Sequence, residues 1–287
     1  MPDILVTGMP RSGTTLLLSL LNAQPNTIAL AEPIALDCQG GRLRAVEEIG
    51  SFMRRVRKAA LSHGLVSTKL VNGAVTDNFA EPPNVEGRLR RVLAETGELH
   101  FEKSLNDEFT LVVKHPAEFT ALADLLVHEF KIYALVRDPI AVLAAWQTVD
   151  MPVNRGHMPM MECFAPDLRH RLEGVTQTLE RQVALIEFQL STYSKLPPEQ
   201  IIRYEDMVAD PMGTLHALCP TAERFTALSE FNPRDRYPKV DFDALAEALS
   251  PIVPVISRFY PDWKERWAKY SQAGCSCFTS GRTAREQ

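Results

Sequence analysis

The chain has 287 residues, a length for one large α/β domain or at most two small ones. With 31 Lys and Arg against 36 Asp and Glu its formal net charge is −5. A chain this acidic has no global field for nucleic acid or an anionic membrane, so any anion must be held by a local site.

Met1-Pro2-Asp3 leads straight into an apolar run without a basic n-region, which gives a cytoplasmic expectation. No stretch approaches the roughly 18 apolar residues of a membrane span. Ile4 to Thr7 reads as a short buried strand, Gly8 to Gly13 as a glycine loop, and Thr14 to Asn22 as a helix with a leucine-rich face. Strand, glycine loop and helix in that order open P-loop α/β folds. Leu111 to Lys114 reads as a second strand, with Leu99 to Leu105 as its hairpin partner across Asn106-Asp107. A helix from Phe119 to Phe130 precedes a third strand, Ile132 to Val136. Pro139 then fits the first turn of a helix running through Trp146.

Leu168, Leu172, Val175, Leu179, Val183, Ile186 and Leu190 step by three or four, as one face of a long helix would, and Pro197-Pro198 ends it. Ile201 to Tyr204 reads as a fourth strand and Asp243 to Phe259 as an amphipathic helix. The polar residues 271–287 read as a disordered tail. Alternating strands and helices predict an α/β P-loop fold, three layers around a central, mostly parallel sheet, with one domain over residues 1–270.

The five cysteines, Cys38, Cys163, Cys219, Cys275 and Cys277, are scattered and odd in number, which does not suggest a disulfide framework. Cys275-x-Cys277 lies in the polar tail without a histidine beside it. The histidines show no ligand spacing, so no metal site is expected.

Gly8-Met9-Pro10-Arg11-Ser12-Gly13-Thr14-Thr15 has the spacing of a Walker A loop, with Thr14 where the lysine belongs. The glycines permit a tight turn and close backbone approach, and N–H groups at the helix start point at an anion. Ser12, Thr14 and Thr15 add hydroxyls, and Arg11 brings the cation from inside the loop. A kinase uses the missing lysine on the β- and γ-phosphates, with Mg²⁺ held by a Walker B aspartate. No apolar strand here ends in an isolated aspartate.

Pro10 to Leu16 resembles the 5′-phosphosulfate loop of sulfotransferases that use 3′-phosphoadenosine 5′-phosphosulfate (PAPS). Three further segments follow in that family's order. Lys114-His115-Pro116 resembles its strand-end Lys-x-Pro segment. Arg137 to Trp146 resembles its 3′-phosphate segment. Arg203 to Pro211 resembles the segment whose tyrosine, Tyr204 here, lies near the adenine. The resemblance covers residues 3–35 and 110–211 and is nearest to bacterial and tyrosylprotein members. It implies PAPS as donor and a small-molecule or peptide acceptor, with no metal.

It also implies roles. Arg11 contacts the transferring sulfuryl group, Ser12, Gly13, Thr14 and Thr15 cradle the 5′-phosphate, Arg137 meets the 3′-phosphate, and Lys114 stabilises the bridging oxygen. An alcohol acceptor needs a base. Glu32 stands where bacterial and tyrosylprotein members carry a glutamate base, and His115 lies in the strand-end region where aryl and steroid members use a histidine; Glu32 is preferred. One position departs from the pattern. Eight residues after Arg137 the family usually has a serine, and here stands Ala145, a lost hydroxyl worth on the order of 1–2 kcal/mol. Residues 36–100 and 147–167, with Met151, Met158, Met160 and Met161, are expected to form the acceptor pocket and its lid. Arg54, Arg55, Arg57 and Lys58 are a candidate basic groove. A P-loop kinase or NTPase and a non-catalytic nucleotide-binding protein remain the rival readings.

Overall fold

Five parallel strands form the sheet, in the spatial order β2-β5-β1-β6-β7. They are β1 (Ile4–Gly8), β2 (Thr27–Ala31), β5 (Thr110–Lys114), β6 (Lys131–Val136) and β7 (Ile201–Arg203). A separate antiparallel ladder pairs β3 (Leu65–Leu70) with β4 (Glu95–His100). The computed structural model describes residues 3–82, 88–225, 227–228 and 233–270. The predicted tail at 271–287, with Cys275 and Cys277, lies outside the described residues.

The helices in chain order are α1 (Thr14–Asn22), α2 (Arg42–His63), α3 (Glu118–Ala121), α4 (Ala123–Leu126), α5 (Pro139–Trp146), α6 (Pro159–Phe164) and α7 (Pro166–Glu173). There follow α8 (Thr178–Tyr193), α9 (Tyr204–Ala209), α10 (Pro211–Leu218), α11 (Pro233–Arg236), α12 (Phe242–Leu249), α13 (Val253–Ile256) and α14 (Trp263–Ala268).

The central strands are buried along their whole length, as a parallel sheet covered on both faces requires. Alternate residues feed opposite faces. Ile4, Val6, Ala29, Ala31 and Val112 pack with α1, α9 and α10, whereas Leu5, Leu30 and Val113 pack with α2, α5, α8 and α12. Helix, sheet and helix make the three expected layers.

Several local expectations fail, each for a tertiary reason. Residues 99–105 do not form a hairpin with β5, because β1 and β2 occupy both of its edges in parallel register; β4 pairs with β3 instead. The helix expected over 119–130 divides at Leu122, whose backbone leaves the helical region. The single long helix expected through Leu190 is two, α7 and α8, interrupted after Glu173. Arg181 donates to the carbonyls of Leu172 and Val175 at that break, satisfying the end of α7. The helix expected over 243–259 is broken by Pro251 and Pro254, which lack the N–H that a helix interior needs.

The cysteine expectation also fails. Cys38, in a 3₁₀ turn ahead of α2, is disulfide-bonded to Cys163 in α6, 125 residues away. Spacing in the chain carries no trace of that pairing, because α6 and the 3₁₀ turn meet only in the folded protein. No helix among the described residues is long and apolar enough to cross a membrane.

Candidate active site

Each strand of the parallel sheet delivers one candidate group at its C-terminal end. The glycine loop follows β1, Glu32 follows β2, Lys114 closes β5, Arg137 follows β6 and Tyr204 follows β7. That edge is where open α/β sheets bind ligands.

The loop turns tightly, with the Ser12 N–H donating to the Met9 carbonyl at 3.0 Å. Gly13 has φ +101°, and a Cβ there would stand 2.6 Å from Cδ2 of Tyr204, so the ring packs against the glycine itself. Arg11 takes φ 71°, a left-handed backbone for a non-glycine residue. Glu32 does the same with φ 48°. Such conformations persist only where the surrounding fold imposes them, and they gather at functional sites. Trp146 donates to the Pro10 carbonyl at 2.8 Å and supports the loop from behind.

Arg137 lies across the loop. Its Nη1 donates to the Arg11 carbonyl at 3.1 Å, and its guanidinium stands 4.4 Å from the centre of the Tyr204 ring. Asp138, the next residue, caps α5 by accepting from the Ile140 N–H, while its own N–H donates to Glu205. Glu205 in turn accepts from the Tyr260 hydroxyl. Burial, and then the Glu205 carboxylate, push the Asp138 carboxyl up to about 6. Glu205 therefore ties the end of β6 to the C-terminal helices, a structural role.

Glu32 sits between two ammonium groups. Lys114 Nζ meets Oε1 at 2.6 Å, and Lys69, on β3, meets Oε2. Burial alone would raise this carboxyl, but Lys114 and Lys69 overcome it and hold it at about 2. Lys114 is almost wholly buried, under the Phe79 ring at 5.2 Å. His115, its neighbour, points to the opposite face of the strand and stacks with Phe119. Its Nε2 accepts from the Ile34 N–H at 3.2 Å, and Nδ1 stands 3.3 Å from a Glu118 carboxylate oxygen. The ring thus braces the turn that carries Glu32.

The donor groups of the loop have unmet capacity. Ser12 is fully buried and its hydroxyl has no hydrogen-bond partner among the described residues, nor has the buried Nε of Arg11, whose Nη1 donates to Asn78 at 2.8 Å. Burial first, and then the neighbouring Arg90, Arg137 and Arg236, bring the Arg11 guanidinium down to about 10, against the opposing influence of Tyr237. Orphaned donors and gathered like charges fit an anion with several negative groups. A cavity of about 740 Å³ opens beside them, lined among others by Arg11, Thr14, Thr15, Arg137, Tyr204 and Arg236. That volume suits a nucleotide-sized ligand.

The sequence model described as Sulfotransferase family matches residues 2–224. The chain belongs to the sulfotransferase family. Comparison with curated protein sequences gives no match. Among solved structures, the sulfotransferase from Alicyclobacillus acidocaldarius is 14% identical, with 93% of this chain and 98% of that one covered and a TM-score of 0.44. Sulfotransferase STF1 from Mycobacterium tuberculosis H37Rv is 18% identical, over 87% and 76% of the two chains, at a TM-score of 0.34.

Two expectations about this sulfotransferase's pocket need correction. Met158 and Met161 are buried core residues and Met151 and Met160 pack against that core; none of the four lines the cavity described above or the one next to it, although Arg88, Arg90, Gln147 and Thr148 from the two expected segments line the latter. The basic run is not a groove at the site. Arg57 pairs with Asp3, before the start of β1 and so at the opposite end of the strands, and covers the Phe109 ring at 4.3 Å. Ala145 is fully buried and absent from the cavity wall. Sequence reasoning missed Lys69, Asn78, Arg90 and Arg236. No motif marks them: Lys69 comes from β3, Asn78 and Arg90 from the segment between β3 and β4, and Arg236 from α11, and only the fold brings them near the loop.

Proposed function

We propose that this sulfotransferase moves a sulfuryl group from PAPS to a hydroxyl, or an amine, of a small-molecule or peptide acceptor and leaves adenosine 3′,5′-bisphosphate. The observation that carries this reading is the lysine-free loop whose Arg11 shares its cavity with Arg137 and Arg236, with the Glu32–Lys114 pair at the adjoining strand ends. Bound there, the donor supplies the sulfuryl group and a leaving bisphosphate. Ser12, Gly13, Thr14 and Thr15 hold its 5′-phosphate, Arg137 the 3′-phosphate, and Tyr204 lies beside the adenine.

Glu32 takes the acceptor's proton as the new O–S bond forms. The bond from sulfur to the bridging oxygen breaks, and its electron pair stays on that oxygen, where Arg11 and Lys114 offset the charge. The ion pair between Glu32 and Lys114 couples the two events. A carboxylate that has gained a proton no longer holds the ammonium, and Lys114 is released toward the leaving oxygen as charge develops there. His115 is a positioning residue in this scheme, acting through the Glu32 turn.

Calorimetry with adenosine 3′,5′-bisphosphate in EDTA tests the donor assignment. Binding without metal is expected. No binding at millimolar ligand, beside clear binding of ATP with Mg²⁺, would replace this reading with the kinase one. Turnover of ³⁵S-labelled PAPS with a panel of alcohols, phenols and amines separates an enzyme from a nucleotide-binding protein without activity.

A further inference from the structure

A second cavity of about 740 Å³ adjoins the first and shares Arg236 and Tyr237 with it. Its other walls are unlike those of the nucleotide side. Leu179, Val240, Ala244 and Leu245 give it an apolar body, and its charged lining is four cations, Arg88, Arg90, Arg236 and Lys239, against two carboxylates, Asp235 and Asp241.

Arg90 is the unusual member. It is only 2% exposed. Its Nη2 donates to the Thr148 hydroxyl at 2.9 Å, its Nε to the Thr148 carbonyl at 3.3 Å, and its Nη1 to the Glu81 carbonyl at 3.4 Å. All three acceptors are neutral. The Glu81 carboxylate is engaged by Arg88 and Arg91 instead. No carboxylate pairs with Arg90 among the described residues, and its one aromatic neighbour, Tyr237, is 5.8 Å away. A guanidinium has five N–H donors, so two remain. Burying a cation without a counter-charge is costly, and the fold holds this one rigidly through Thr148 rather than letting it reach solvent. A site of this kind is completed by an anion.

We propose that this second cavity receives the acceptor, and that the acceptor is an organic anion, an alcohol or phenol with an apolar body and a carboxylate-type group that Arg90 binds. The inference rests on the sulfuryl-transfer reading and narrows its acceptor. The donor's anionic groups have receptors of their own in the loop and Arg137, whereas Arg90 lines only the second cavity. The two cavities share Arg236 and Tyr237, so an acceptor held by Arg90 lies next to the donor's cavity. The wall of Leu179, Val240 and Leu245 takes the apolar part.

The test compares 12-hydroxydodecanoate with its methyl ester, by calorimetry on protein saturated with adenosine 3′,5′-bisphosphate. The carboxylate should bind at least tenfold more tightly, and Arg90→Met should erase that preference while changing bisphosphate affinity less than twofold. Leu179→Trp, which narrows the apolar wall and leaves Arg90 in place, should weaken binding of both probes at least tenfold and keeps the test decisive if Arg90→Met does not fold. Equal binding of acid and ester to the wild type, or binding of neither, overturns the proposal. A large loss of bisphosphate affinity in Arg90→Met also overturns it, because Arg90 would then serve the donor. Absence of bisphosphate binding to the wild type is a different result and sinks the donor reading itself.

Discussion

Trp146 and Pro10 are 136 residues apart, yet the indole N–H of one donates to the carbonyl of the other at 2.8 Å, in a fully buried setting. That bond joins the helix that follows Arg137 to the glycine loop, so the two segments proposed to hold the donor's phosphates share one frame. Trp146→Phe keeps most of the apolar contact and leaves a buried carbonyl unsatisfied, at a cost of about 1–3 kcal/mol. Lower melting temperature and weaker bisphosphate binding are expected together. Unchanged affinity would mean that the loop keeps its shape without this bond.

The Lys69–Glu32–Lys114 arrangement predicts a pH effect. Two ammonium groups hold the Glu32 carboxyl at about 2, below its ordinary 4.5. Their contribution to stability is present above about pH 4.5 and is lost as pH falls through about 2. Lys69→Met removes one cation, so the carboxyl rises and the loss begins at higher pH. If Glu32 is the base, the acid limb of kcat/KM moves upward in the same variant, while bisphosphate affinity holds. A pH–rate profile superimposable on that of the wild type would separate Lys69 from the base.

Glu32→Gln addresses the base directly. It should slow the chemical step by roughly 10²–10⁴-fold with an aliphatic alcohol acceptor and leave donor affinity nearly unchanged. His115→Ala should cost less, through loss of the brace at Ile34. Single-turnover rates rank the two, and the reverse order would return the base to His115.

Asp138 gives the opposite sign. Burial and Glu205 raise its carboxyl to about 6, so the fold favours the protonated form. This contribution is fully present below about pH 4 and disappears as pH rises through about 6. Asp138→Asn can still accept from the Ile140 N–H and cannot ionise. Melting curves from pH 4 to 8 should fall less for the variant than for the wild type. An equal slope would assign the pH dependence to other groups.

The Cys38–Cys163 bond closes a long loop, and removing such a constraint typically costs about 2–4 kcal/mol. Dithiothreitol, or Cys38→Ser, should lower the melting temperature, with little effect on bisphosphate binding because neither cysteine lines the cavity beside the glycine loop. Equal stability of oxidised and reduced protein would show that the bridge carries no weight in the fold.

The sequence alone determined the parts whose signal is local. A glycine loop between an apolar strand and a leucine-rich helix reads as a turn at a helix N-terminus, and Pro139 marks the start of α5 in the same local way. Arg11, Lys114, Arg137, Tyr204 and Glu32 were singled out through motifs resembling those of one family, and parallel strands bring all five to one edge whatever their separation in the chain; the strand before Glu32, β2, was not read from the sequence. Tertiary structure decided the rest. Lys69 reaches Glu32 only because β3 lies beside β2, and Cys38 meets Cys163 only because α6 packs on the turn before α2. Arg90 becomes a buried cation only when Thr148 closes over it. These contacts depend on burial and on distances set by packing, which local spacing does not encode. The same cause divided helices that periodicity had joined, since an apolar repeat continues unbroken across a turn that the surrounding packing imposes.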